Sequence, residues 1–262
     1  MTRSEMVDRL GLCSVTFRAI SAEAVIEAAV RAGLKAVEWG ADVHAPPAEH
    51  DVLQRVRELS DKRGVRVCSY GSYWKAGVEP IARAREVIEA AGVLGAPRVR
   101  IWAGVVGTAV ADEDVWRRTV AAIREAATTA RDAGIEVAME FHPGTLTDTA
   151  GSTLRLLERV ASPNVSTYWQ PLIDETADEA IAGLGAVVDV VSAVHVFSWW
   201  PGYDRLPLVD REDLWRPALD LLAARNPAAD LLMEFVPGDD PEVLVSEAQT
   251  LRTWVVEAAQ SR

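Results

Sequence analysis

Short runs of β-branched and aromatic residues alternate along the chain with longer stretches rich in Ala, Leu, Arg and Glu, the pattern of parallel strands joined by helices. The apolar runs fall at 10–15, 36–39, 65–70, 98–102, 136–141, 165–168, 191–197 and 231–236. Helix-forming composition fills 22–32, 51–63, 81–94, 113–133, 153–160, 177–184, 214–224 and 242–259. Ser21 is placed to cap the first of these helices, while Gly33, Gly64, Gly95 and Gly134 stand where a left-handed residue ends a helix before the next strand. Eight strands alternating with helices are enough to close a (β/α)8 barrel, and 262 residues is close to the roughly 250 that such a barrel takes. A doubly wound open sheet is the main rival, but it carries a glycine-rich phosphate turn after its first strand. Here Leu12-Cys13-Ser14-Val15-Thr16-Phe17 has no Gly-x-Gly. No Pro/Gly/Ser linker or low-complexity tract interrupts the chain, so residues 1–262 are expected to form a single barrel domain.

Composition refines this picture without changing it. Hydrophobic residues make up 49% and charged residues 25%, which supplies a sizeable core and a solvated shell. The formal net charge of -12 repels a phosphate backbone, so no nucleic-acid partner is expected. Cys13 and Cys68 lie in apolar strand-like runs and read as reduced core residues. The start of the chain carries Arg3, Glu5, Asp8 and Arg9 and lacks the apolar stretch of a secretory signal. Asp189 and His195 interrupt even the valine-rich segment, leaving no run long enough for a membrane span. A cytoplasmic protein with no membrane partner is the expectation.

Catalytic groups of such a barrel sit at the C-terminal ends of the strands. Three of the 4 histidines, His44, His142 and His195, fall at or just after the ends of the second, fifth and seventh apolar runs; His50 opens a helix and reads as a surface residue. Two segments nearly repeat each other, Met139-Glu140-Phe141-His142-Pro143-Gly144 and Met233-Glu234-Phe235-Val236-Pro237-Gly238, and each puts a glutamate at a strand end. An unpaired carboxylate buried in such a run costs several kcal/mol, so each needs a metal, a cation or a shared proton. Pairing with an arginine near the barrel mouth is the structural alternative. With His195, the two carboxylates form a donor set suited to Mn²⁺, Zn²⁺, Co²⁺ or Mg²⁺.

Taken together, these segments resemble the xylose-isomerase-like TIM-barrel superfamily, which holds sugar isomerases, ketose epimerases, inosose dehydratases and AP-endonuclease-type hydrolases. The likeness spans nearly the whole chain. It is carried by Ala36-Val37-Glu38-Trp39 with Asp42 and His44, by Arg98-Val99-Arg100-Ile101-Trp102-Ala103-Gly104, by Glu140 with His142, by His195 and by Glu234. In epimerase-like members the metal is held by Glu from the fifth strand, Asp after the sixth, His from the seventh and Glu from the eighth. The resemblance thus implies Glu140, His195 and Glu234 as ligands. It departs at the sixth strand, where the Asp position falls on Gln170, and the partner histidine three residues later is Ile173. Gln170 brings an oxygen but no charge. Either it is a neutral fourth ligand, or Asp174 or His142 substitutes, or no metal binds and Gln170 holds a substrate hydroxyl.

Aromatic faces at strand ends suit the C–H surfaces of sugars, which marks Trp102, Trp169, Trp199 and Trp200, whereas Trp116 and Trp215 lie on helices and read as core. Lys75 and Arg205, on loops after the third and seventh runs, are candidates to hold a hydroxyl, carboxylate or phosphate. With His44 and His142, the expected substrate-binding set is His44, Lys75, Trp102, His142, Trp199 and Arg205. The resemblance implies a metal-dependent sugar isomerase or epimerase working through an enediolate, with Glu140 and Glu234 moving the proton on a small keto-sugar or polyol. An inosose-type dehydratase, an AP-endonuclease-like hydrolase and a non-catalytic sugar-binding barrel are the alternatives. A homo-oligomer is expected by analogy with such barrels.

Overall fold

The computed structural model describes residues 3–260. Eight strands, β1 (Leu10–Cys13), β2 (Ala36–Gly40), β3 (Arg66–Lys75), β4 (Arg98–Trp102), β5 (Glu136–Met139), β6 (Val165–Trp169), β7 (Val191–Val196) and β8 (Asp230–Met233), pair in parallel in chain order. The ring closes where Leu10, Gly11 and Leu12 of β1 meet Leu231, Leu232 and Met233 of β8. The helices are α1 (Arg3–Val7), α2 (Ala22–Arg31), α3 (His50–Arg63), α4 (Ile81–Leu94), α5 (Glu113–Asp132), α6 (Ala150–Val160), α7 (Ala177–Val187), α8 (Glu212–Arg225) and α9 (Pro241–Ala258). None among the described residues is long and apolar enough to cross a membrane.

Two separate apolar clusters follow from the period-2 alternation of the strands. Outward residues such as Leu12, Val37, Val99, Ile101, Val137, Val194 and Leu231 pack with Ile26, Leu53, Ile88, Ile123, Leu219 and Leu251 of the helices. Inward residues Ala36, Cys68, Ala138, Tyr168, Ala193 and Leu232 form a second, smaller cluster inside the ring. Burying both faces is what the near-continuous apolar runs of the sequence require.

The expected eight-strand, single-barrel architecture is what the chain adopts. Ser21 accepts a hydrogen bond from Ala24 N, and Gly64 and Gly95 close α3 and α4 in the left-handed region, at φ 66° and 74°. β4 and α4 keep the bounds read from the sequence. β3 runs on to Lys75, past the expected 70, through a register shift against β4, and Ser72 Oγ donates to Arg100 O at 2.6 Å to hold the extension. α6 begins at Ala150 instead of 153, because Thr149 and Ser152 cap each other reciprocally. β5 and β8 end at Met139 and Met233, so Glu140 and Glu234 stand one residue beyond the ladders.

At the N-terminal mouth the barrel is plugged by side-chain ion pairs. Asp230, 1% exposed, accepts from Arg66 at 2.6 Å and from Arg98 at 3.3 Å, and Arg98 also reaches Glu136 at 3.3 Å.

Candidate functional site

One strand step toward the C-terminal mouth, above the small inward cluster, the ring turns polar again. Cys13 from β1, Glu38 from β2, Arg100 from β4, Glu140 after β5, Gln170 after β6, His195 from β7 and Glu234 after β8 are all buried there. Arg100 Nε donates to Glu38 Oε1 at 2.9 Å and its Nη1 to Glu140 Oε2. Trp102 Nε1 donates to the same Glu140 oxygen at 2.5 Å, and Tyr168 OH to Glu38 Oε2 at 2.8 Å. The arginine pairing anticipated as the structural alternative therefore exists for Glu140, through a residue inside the ring. Glu234 has His195 beside it instead.

Gly71 makes room for the Glu38–Arg100 pair. A Cβ at that position would stand 2.7 Å from Glu38 Oε1 and 2.8 Å from Arg100 Nη2.

His195 is fully buried, and its Nδ1 faces three oxygens: Gln170 Oε1 at 2.8 Å, Glu234 Oε2 at 3.4 Å and Glu140 Oε1 at 3.9 Å. Its Nε2 stands 3.6 Å from Glu38 Oε1, too far for a hydrogen bond, and has no partner. Burial opposes a charged imidazole, yet Glu234 and Glu38 beside it raise the His195 pKa. Burial raises the Glu234 carboxyl, against the pull of His195. Burial would also raise Glu38, but Arg100, His195 and Tyr168 hold it well below the usual carboxylate range. The Cys13 thiol is pushed up by burial and by the charges of Glu234 and Glu38.

The donors here fit a divalent cation on two grounds. Three carboxylates, Glu38, Glu140 and Glu234, against one guanidinium give a formal surplus of two negative charges, which a divalent cation would offset. A single imidazole nitrogen can donate one hydrogen at most, yet three oxygens surround it at 2.8–3.9 Å. Those spacings are the ligand-to-ligand separations, about 3 to 4 Å, of an ion with bonds of about 2.1 Å. Glu140 Oε1, Gln170 Oε1, His195 Nδ1 and Glu234 are the groups that could hold it.

The remaining sequence candidates divide into three groups. Trp102 stacks on His142 with ring centroids 4.3 Å apart, and Lys75 Nζ lies 5.8 Å from the Trp102 ring centre, so these three form one wall that touches Glu140 through the indole. Trp199 stacks on Phe235, the neighbour of Glu234, at 4.8 Å, and Arg205 lies over the same ring while pairing with Asp239. His44 is not part of the site wall as expected: Ser14 Oγ and Ile20 O, each at 3.1 Å, occupy both ring nitrogens. Trp169, expected among the strand-end aromatics of the site, faces away from it. It is fully buried edge-on against Trp215 on α8, in the layer outside the ring. Cys13 and Cys68 are free and buried, as expected.

Glu38, Arg100 and Tyr168 were not singled out from the sequence as site residues. The signal was present, since a carboxylate and a guanidinium embedded in the apolar runs Ala36–Gly40 and Arg98–Trp102 raise the same burial problem that exposed Glu140 and Glu234.

A family model described as xylose isomerase-like TIM barrel matches residues 26–172. Among solved structures, the probable 3-DHS dehydratase AsbF of Bacillus anthracis is similar with a TM-score of 0.79 at 17% identity, over 92% of this chain and 98% of that one. The D-psicose 3-epimerase of Clostridium cellulolyticum H10 gives 0.72 at 15%, over 95% and 99%. A xylose isomerase-like TIM barrel protein of Mycobacterium smegmatis, solved in complex with magnesium, gives 0.68 at 16%, over 93% and 92%. At these identities the likeness is one of fold. No curated protein gives a significant match.

Proposed function

The chain belongs to the xylose isomerase-like TIM barrel family, and from that premise we propose that it is a divalent-metal-dependent isomerase or epimerase of a small keto-sugar or related polyol. The observation that carries this reading is the convergence of Gln170, Glu234 and Glu140 oxygens, from three separate strand ends, on one buried nitrogen of His195. A bound ion supplies polarisation of adjacent carbonyl and hydroxyl oxygens, which acidifies the C–H between them.

The protein's own groups do the rest. One of Glu140 and Glu234 takes the proton from that carbon, and the C–H electron pair moves into the neighbouring carbonyl to give an enediolate. The other glutamate returns a proton to the opposite face, which inverts the carbon. Trp102 and Arg100 fix Glu140 by engaging Oε2, so that only Oε1 is open toward His195. The Trp102–His142 stack and the Trp199–Phe235 stack offer flat apolar faces to the C–H surface of a sugar, with Lys75 beside the first for a polar substituent.

Elemental analysis of the purified protein, followed by incubation of the metal-loaded chain with keto-sugars and inososes in D2O, tests the reading. Deuterium exchange at one carbon without loss of water is the expected result. Loss of water assigns a dehydratase instead, and tight sugar binding without metal or turnover assigns a sugar-binding barrel. Nicking of abasic DNA by the metal-loaded protein assigns the hydrolase branch and overturns the proposal.

A further inference from the structure

Cys13 ends β1 inside the ring, fully buried, with its Sγ 3.4 Å from Glu38 Oε1 and 3.5 Å from Glu234 Oε1. Its sulfur, a ring nitrogen of His195 and an oxygen of Glu234 all lie within 4.8 Å of one another. We infer that Cys13 supplies a thiolate ligand to the divalent ion, an inference that rests on the proposed metal at Glu140, Gln170, His195 and Glu234.

Cys68 shows what a merely structural cysteine looks like in this barrel. It belongs to the inward apolar cluster and its thiol donates to the backbone carbonyl of Val37 at 3.2 Å. Cys13 instead aims its sulfur between two carboxylates, where a serine hydroxyl would make the stronger hydrogen bonds. What sulfur offers there and oxygen does not is soft coordination. Bonds of about 2.3 Å to sulfur and about 2.1 Å to oxygen put neighbouring ligands about 3 to 4 Å apart, and the Cys13 Sγ to Glu234 Oε1 separation of 3.5 Å lies in that range. As the sulfur–metal bond forms, the thiol proton leaves to solvent. A thiolate in the set shifts preference toward Zn²⁺ and Co²⁺ and away from Mg²⁺ and Mn²⁺.

Cobalt titration of the full chain reads this directly. The wild type and Cys68→Ser are expected to develop a near-ultraviolet thiolate-to-cobalt band, and Cys13→Ser to lack it while still binding cobalt. Zinc affinity should fall about tenfold or more in Cys13→Ser, with manganese affinity much less affected. Should Cys13→Ser fail to fold, zinc-edge X-ray absorption on the wild type decides, the expected result being a sulfur neighbour at about 2.3 Å. Cobalt binding without the thiolate band, and zinc with only nitrogen and oxygen neighbours, overturns the role of Cys13 and leaves the proposed function standing. Failure of the wild type to take up either metal overturns both.

Discussion

Glu140 receives two donors on one oxygen, the Arg100 guanidinium and the Trp102 indole at 2.5 Å. That leaves a carboxylate whose position is set by neighbours and whose second oxygen, Oε1, faces His195 Nδ1 and the proposed ion. Glu234 is held differently, between the Cys13 thiol on Oε1 and His195 Nδ1 near Oε2. Proton transfer by a positioned carboxylate typically contributes about 100- to 10,000-fold. Glu140→Gln and Glu234→Gln should each lower kcat/KM by that order while circular dichroism shows an unchanged fold, because an amide keeps the shape and an acceptor oxygen. A wild-type rate in either variant removes that glutamate from the reaction. Trp102→Phe deletes one hydrogen bond to a charged acceptor, worth about 1.5–3 kcal/mol, so kcat should fall roughly 10- to 100-fold. If KM alone rises, the indole serves the substrate and not Glu140.

Along the strands, alternation decides which side chains enter the ring, and it explains what the sequence made legible. All eight strands were visible as β-branched runs, since a parallel strand buried on both faces must be apolar nearly throughout. Glu140, His195 and Glu234 stood out because they close such runs. Glu38 and Arg100 did not, because their partnership joins residues 62 apart and exists only once β2 and β4 flank β3. His44 misled for the converse reason. Its place after β2 looked like a site position, but Ser14 and the Ile20 carbonyl from the neighbouring β1 loop satisfy it locally. The extension of β3 to Lys75 was equally hidden, because a register shift carries no composition signal. Within that extension, Gly71 leaves the space that Glu38 and Arg100 fill. Gly71→Ala must displace both partners of a buried ion pair, and is expected to destabilise the fold by about 1–3 kcal/mol. Urea denaturation with an unchanged midpoint would show that the pair has room to move.

Across the whole barrel the interior is layered: an ionic plug at the N-terminal mouth, a thin apolar ring, and the polar site above it. Tyr168 spans the layers, its ring over Arg98 at 5.7 Å and its hydroxyl on Glu38 at 2.8 Å. Such a stack separates stability from chemistry, as the two ends of such barrels generally do. Asp230→Ala leaves Arg66 without its buried partner and Arg98 with the Glu136 carboxylate and the Tyr168 ring. Breaking a buried pair costs about 3–5 kcal/mol, and the remaining Glu136 contact places this variant toward the lower end. Metal uptake should stay near wild type, because the Tyr168 ring is fixed by Ala36, Ala138 and Ala193 as well as by Arg98. Thermal unfolding and a zinc titration on the same Asp230→Ala preparation check both halves. A large loss of zinc affinity with little loss of stability would mean that the plug acts on the site through Tyr168, and that the apolar ring does not insulate the two ends.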